Sequence, residues 1–252
     1  MIDTHCHLDF ENFDKNREEV IKRAKKKLTS LINSGTSFQG NINTLKLSNE
    51  NPDFIYPSLG FHPIQSADMN DSEVNKVLYQ ISNYIDDIVA IGEVGIDFFY
   101  VKDKIQRNRQ MDIFKRFCSL ANEHEKPIII HCRDGEKKAF NIINQFDRIS
   151  DVIFHCYSGS LKTAKKIMDN GYYMSSSTMI DYSTQHQELF REIPLEYILT
   201  ETDSPYLHPI RGEMNEPSCV KIAINKLAEI KEVDYTSVNK ITENNAKKIF
   251  KI

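Results

Sequence analysis

The chain has 252 residues, 40% of them hydrophobic and 27% charged, with a formal net charge of −4. That composition leaves room for a substantial core and excludes a generic binder of polyanions, so any attraction for nucleic acid has to be local, at a cleft or at bound cations. No run of about 18 apolar residues reads as a membrane span, no basic-then-apolar start reads as a signal peptide, and five cysteines without framework spacing read as reduced thiols; the expectation is a cytoplasmic monomer with no protein partner indicated.

In chain order, apolar β-rich runs alternate with helical patterns. Strands are predicted near Met1–His5, Leu28–Asn33, Ile55–Gly60, Val89–Glu93, Pro127–His131, Val152–His155, Tyr172–Ser176 and Tyr197–Glu201. Helices are predicted over Arg17–Lys27, Thr44–Asn49, Asp71–Tyr84, Ile105–His124, Glu136–Phe146, Leu161–Asn170, Gln185–Arg191 and Pro217–Ile230, with a final one over Ile241–Phe250. Eight strands, each followed by a helix, predict one α/β domain over residues 1–252, a closed parallel (β/α)8 barrel. The rival is an open doubly wound sheet, which more often shows a Gly-rich phosphate turn after its first strand; none stands here. The charge run Lys22-Arg23-Lys25-Lys26-Lys27 reads as a solvated helix end favoured by the helix dipole.

The chemistry-bearing residues stand at the C-terminal ends of the predicted strands, the rim that carries the active site in such barrels. In an extended strand, residues two apart point the same way, so His5 and His7 offer two imidazoles to one side while Cys6 points to the other. Such a pair is a clip for a divalent cation, and it gains weight only when other ligands arrive. They do: the later strands run into Gly60-Phe61-His62-Pro63, Gly92-Glu93-Val94-Gly95-Ile96-Asp97, His131-Cys132-Arg133, His155-Cys156-Tyr157-Ser158-Gly159 and Thr200-Glu201-Thr202-Asp203-Ser204-Pro205. Alternation turns Cys6, Cys132 and Cys156 toward the helix layer, which disfavours a Cys/His zinc site.

These strings, with Asp3-Thr4-His5-Cys6-His7-Leu8-Asp9, Arg211-Gly212, Asn215-Glu216-Pro217 and the closing Thr242-Glu243-Asn244-Asn245-Ala246-Lys247-Lys248-Ile249-Phe250, span the chain in order. Together they resemble the TatD family of metal-dependent deoxyribonucleases, within the amidohydrolase-like barrels. The resemblance implies two divalent metal ions per subunit (Mg2+, Zn2+ or Mn2+): His5, His7 and Asp203 hold the first, His131 and His155 the second, and Glu93 bridges them. Many related hydrolases bridge with a modified lysine; no lysine stands at these strand ends, so Glu93 has to serve. Asp203 is either a ligand alone or also the acceptor of a proton from the attacking water. Arg133 faces the site as a phosphate fork or pairs with Glu201 or Asp97; His62 contacts the scissile phosphate or caps the loop before Pro63. Glu201 takes a supporting role, orienting a ligand histidine. Tyr157 and Arg211 complete the expected substrate contacts, and Phe61, Phe98, Phe99, Tyr157 and Tyr206 are candidates for stacking on bases.

The activity so implied is a 3′→5′ exonuclease on a single-stranded DNA end, RNA included as a further substrate, with metal-bound hydroxide attacking phosphorus. The alternatives on the same site are a small-molecule amide, ester, lactone or phosphoester hydrolase, a deacylase of D-aminoacyl-tRNA, and a metal-binding protein without activity. One departure counts against tight nucleic-acid binding: many relatives read Arg-Gly-Lys where this chain has Arg211-Gly212-Glu213, placing a carboxylate near the expected pocket.

Overall fold

The structure, a computed structural model, describes residues 1–252. Its strands and helices are β1 Ile2–Cys6, α1 Arg17–Lys25, β2 Ser30–Gly35, α2 Phe38–Glu50, β3 Ile55–Leu59, α3 Pro63–Asp68, α4 Asp71–Asn83, β4 Ala90–Asp97, α5 Lys104–Glu123, β5 Ile128–Arg133, α6 Glu136–Ile143, β6 Val152–Phe154, α7 Leu161–Asp169, β7 Tyr173–Ser176, α8 Thr184–Glu192, β8 Ile198–Thr200, α9 Val220–Lys231 and α10 Tyr235–Phe250. The strands pair in parallel in sequence order from β1 to β8. Between β8 and β1 there is one bridge, Cys6 to Ser204, and side chains finish the seam. The Thr4 hydroxyl donates to the Thr200 carbonyl at 3.0 Å, and the buried Asp3 carboxylate accepts from the Thr202 amide at 2.9 Å and its hydroxyl at 2.6 Å. The result is a nearly closed (β/α)8 barrel, the architecture the strand–helix alternation predicts. No helix is long and apolar enough to cross a membrane.

Two apolar layers fix this shape. Inside the barrel, Ile2, Ile32, Ile129, Ile153 and Leu199 pack with Ala246, Ile249 and Phe250 of α10, which plugs the N-terminal mouth. Outside, the larger cluster joins Ile128, Ile130, Phe154 and Met174 of the strands to Phe114 and Phe117 of α5, Ala139 and Ile143 of α6, and Ala223, Ile224 and Leu227 of α9. Closing one mouth with apolar side chains leaves the other, at the strand C-termini, for polar ones.

Several helix boundaries differ from prediction, and capping explains them. α2 begins at Phe38 because the Ser37 hydroxyl caps it, accepting from Gly40 N at 3.0 Å. α10 begins at Tyr235, where Asp234 accepts from Ser237 N at 2.9 Å. The short α3 was hidden in the sequence because its cap is a histidine: His62 Nδ1 accepts from Ile64 N at 3.3 Å, with Pro63 in the first turn.

Candidate metal centre

In β5 and β6 the alternation runs undisturbed. Ile129 and Ile153 face the barrel interior while Ile128, Ile130, Cys132, Val152 and Phe154 face the helices. His131 and His155 follow Ile129 and Ile153 by two residues and point inward at the rim. β1 and β4 are less regular. Their pairing slips between Asp3 and Cys6 and between Ile91 and Val94, and such irregularities re-aim side chains beside functional sites. The slips let Ile2 fill the closed end while His5 faces the open one, and let Glu93 turn inward between the outward Ile91 and Val94.

The four histidines form two pairs with Glu93 between them. His5 Nε2 and His7 Nε2 are 3.1 Å apart, and each lies 3.5 Å from Glu93 Oε2. His131 Nδ1 and His155 Nε2 are 3.2 Å apart and lie 2.6 and 2.9 Å from Glu93 Oε1. One carboxylate thus turns each oxygen to a different imidazole pair. Asp203 Oδ1 stands on the first pair's side, 3.4 Å from His7 Nε2 and 3.8 Å from His5 Nε2.

The outer ring nitrogens face other groups. His7 Nδ1 donates to the Ser34 carbonyl at 2.8 Å, and His5 Nδ1 meets the Ser34 hydroxyl at 3.2 Å. His131 Nε2 faces Asp97 Oδ2 at 3.1 Å. His155 Nδ1 faces Glu201 Oε1 at 3.4 Å, and the other Glu201 oxygen accepts from the Ser175 hydroxyl at 2.5 Å. With protons on the outer nitrogens, the inner ones carry lone pairs aimed at each other across about 3 Å, an arrangement that needs a proton or a cation between them. Four imidazoles and two carboxylates in this grouping fit divalent cations.

Electrostatics agree. Burial pushes the Glu93 carboxyl up, but His155 and His131 outweigh it and hold the group well below the usual carboxylate range. Burial opposes charge on His7 too, yet Asp203 and Glu93 raise it to about 9, and Glu93 with Glu201 raises His155 against its own desolvation. A cation entering here displaces protons from these rings. Burial raises the Cys6 and Cys132 thiols well above their ordinary range, so they remain neutral packing groups.

The site floors a cavity of about 510 Å³ lined in part by His62, Arg133, Tyr100, Phe10, Tyr206 and Leu207. His62 combines both expected positions: Nδ1 caps α3, and Nε2 looks into the site 3.6 Å from Glu93 Oε1. Burial pushes its imidazole down to about 4, and because Nδ1 accepts a hydrogen bond the ring proton sits on Nε2. Arg133 pairs with neither Glu201 nor Asp97; its guanidinium lies 3.8 Å above the Phe99 ring at the cavity wall.

Two of the expected substrate contacts, Tyr157 and Arg211, are not brought to the cavity. Tyr157 is 1% exposed and packs on Phe154, with its hydroxyl donating to the Ser160 carbonyl at 2.9 Å. β6 ends at Phe154 and Cys156 adopts a left-handed φ of 43°, so the alternation that would aim side chains past His155 stops. For the same reason Cys156 sits beside Ser177, 3.3 Å from its hydroxyl, rather than in the helix layer. Arg211 is exposed on the loop after β8, outside the cavity lining, as is Glu213, so the carboxylate there does not face the pocket. Phe61 and Phe98 are buried core residues. Asp97, Ser34, Phe10 and Tyr100 are the site residues that sequence reasoning missed. Asp97 carried a signal, since it closes the same strand as Glu93.

The chain matches the TatD related DNase family over residues 2–251. It belongs to the TatD family of metal-dependent hydrolases. Among TatD relatives it is 43% identical to an uncharacterized metal-dependent hydrolase of Methanocaldococcus jannaschii, covering 99% of this chain and 96% of the relative. It is 30% identical to human deoxyribonuclease TATDN3, covering 99% and 94%. Among solved TatD structures, the YJJV homolog from Escherichia coli K12 superposes with a TM-score of 0.91 at 26% identity, covering 100% of this chain and 98% of that one.

Proposed function

We propose that this TatD-family hydrolase is a deoxyribonuclease that removes nucleotides from the 3′ end of single-stranded DNA, and of RNA by the same chemistry, at a centre of two divalent cations. The observation that carries this reading is Glu93 turning one oxygen to His5 and His7 and the other to His131 and His155. His5, His7 and Asp203 would hold one cation, His131 and His155 the other, and Glu93 would bridge. When bound, the cations would supply Lewis acidity, acidifying water in the cavity and neutralising phosphate charge. The human relative's name, deoxyribonuclease, favours phosphodiester substrates, and the 3′→5′ polarity rests on the family resemblance.

The chain's own residues divide the remaining work. The Asp203 carboxylate, beside His7 and only partly buried, takes a proton from the attacking water on the oxygen that does not face the first histidine pair. His62 donates Nε2–H to a nonbridging phosphate oxygen, because burial keeps its ring neutral and the cap on Ile64 fixes its tautomer. Arg133, held 3.8 Å over the Phe99 ring and free of carboxylates, offers a fork to phosphate. As the P–O bond to the leaving sugar breaks, that sugar oxygen collects a proton from solvent. Glu201 and Asp97 hold His155 and His131 in their tautomers.

The test is incubation of metal-loaded protein with end-labelled single-stranded DNA. Stepwise shortening to mononucleotides from the 3′ end is the expected result; intact DNA alongside rapid hydrolysis of a lactone or aryl ester would assign the centre to small molecules instead. Asp97→Asn supplies a second check. The amide is nearly isosteric, yet with a single oxygen it either turns a donor toward His131 Nε2 or gives up the acceptor of the Tyr100 amide, which donates to Asp97 Oδ1 at 2.8 Å in the wild type. Metal affinity, read by competition with a chelating dye, is expected to fall about 10- to 100-fold. Unaltered affinity would show that Asp97 does not fix the ring.

A further inference from the structure

Two half-exposed tyrosines line the cavity on opposite walls, and their surroundings differ. Tyr100 stands on the side of His131, where the Arg133 guanidinium lies 5.2 Å from its ring and 3.8 Å from that of Phe99. That wall is cationic. Tyr206 stands on the side of His7 and Asp203, remains 51% exposed, and has no cation over its ring. Its neighbour Phe10 meets it edge-on, with centroids 6.2 Å apart at 71°, while the Phe10 face lies flat on the His7 imidazole, 4.6 Å away at 11°. Phe10 has therefore spent its face on His7 and backs Tyr206, leaving the Tyr206 face as the open aromatic surface beside the first histidine pair.

The surface is held firmly. Arg17 Nε donates to the Leu8 carbonyl at 2.6 Å and its Nη2 to the Phe10 carbonyl at 3.0 Å, fixing the turn that carries Phe10. The Tyr206 amide donates to the Asp203 carbonyl at 2.9 Å. The next residue, Leu207, is kept at a φ of 61°, a left-handed conformation unfavourable for a branched side chain. It stays there because its carbonyl accepts from the Thr178 hydroxyl at 2.7 Å, and the buried Asn215 amide donates to that hydroxyl at 2.9 Å and to the Thr202 carbonyl at 3.0 Å. An aromatic ring on a pinned loop loses little entropy when a flat ligand settles on it.

We propose that Tyr206, backed by Phe10, is the shelf on which the base of the terminal nucleotide stacks, while Arg133 on the opposite wall takes the next, uncleaved phosphate. The assignment rests on the nuclease reading above and deepens it. Tyr100 is disfavoured as the shelf because the guanidinium beside it draws phosphate to that wall. A cavity of about 510 Å³ matches one nucleotide between the two walls, within the roughly 300–1,000 Å³ usual for small-ligand sites. Stacking is indifferent to base identity, so the shelf demands a base without choosing among bases.

The experiment compares two single-stranded oligonucleotides, one ending in an ordinary 3′ nucleotide and the other in an abasic residue, with metal-loaded wild type, Tyr206→Ala and Tyr206→Phe. Wild type is expected to prefer the base-bearing end about tenfold in kcat/KM, mostly through KM. Tyr206→Ala should erase that preference and Tyr206→Phe should retain it, a pattern that a merely structural tyrosine would not give. Cleavage by wild type without base preference, or equal slowing of both substrates by Tyr206→Ala, would overturn the shelf while leaving the nuclease reading intact. Absence of cleavage of either oligonucleotide would overturn both.

Discussion

On the two-cation reading proposed above, replacing Glu93 by glutamine is expected to lower hydrolytic activity about a thousandfold and to leave the chain with one bound divalent ion or none. The side chain is buried and its two oxygens serve different partners, Oε2 the His5–His7 pair and Oε1 the His131–His155 pair. An amide of the same size keeps one acceptor oxygen and turns an N–H donor to the other pair, so a lone pair and a full negative charge are lost together. The cations' contribution to a hydrolytic transition state is several kcal/mol, and about 4 kcal/mol corresponds to three decades in rate. The variant should still fold, since the amide can donate to an imidazole nitrogen where the carboxylate accepted. Metal counting on the purified protein and steady-state hydrolysis decide the matter. A variant retaining two ions and wild-type turnover would remove Glu93 from the bridging position.

How far the sequence exposed this site depends on the strand in question. β5 and β6 are regular, and the inward sets Ile129–His131 and Ile153–His155 follow from counting by twos. β1 and β4 are not regular: the inward Ile2 and His5 are three apart, as are the inward Ala90 and Glu93, and only the pairing slips reconcile them. Strict alternation gives the correct facing of His5 but the wrong account of how Ile2 shares it. Tyr157 fails differently, because its expected direction assumed a strand that ends three residues earlier. Of the residues that hold the histidines, Glu201 was legible in its role but not in its partner, and Ser34 was not legible at all. Ser34 reaches His5 and His7 from the neighbouring strand, and Glu201, just past the end of β8, reaches His155 at the end of β6 with only β7 between them. Nothing local to any of these residues names its partner. Asp3 is the clearest case: it stands two residues before His5, yet its carboxylate faces Thr202 and closes the seam between the first and last strands.

Gly95 links the fold to the site most tightly, and Gly95→Ala is expected to destabilise the protein by about 4 kcal/mol. The residue pairs with His131 across β4 and β5. A β-carbon built on it would lie 2.0 Å from the His131 carbonyl oxygen and 2.9 Å from the carbonyl carbon, at a φ of +149° that alanine disfavours. Both colliding atoms are backbone, so no side chain can rotate away; the strands have to part, and His131 moves with them. Backbone strain of about 1–3 kcal/mol and overpacking of about 1–3 kcal/mol combine to that figure. In a protein of this size it corresponds to a fall of about 10 °C in Tm. Gly171→Ala separates the two contributions, because Gly171 also has a positive φ, +72°, but nothing lies within 4 Å of its added carbon. Urea melts of the two variants should differ by about 2 kcal/mol or more, with metal affinity lost only in Gly95→Ala. Equal destabilisation would mean that conformation alone, and not the approach of β4 to the His131 carbonyl, requires glycine at position 95.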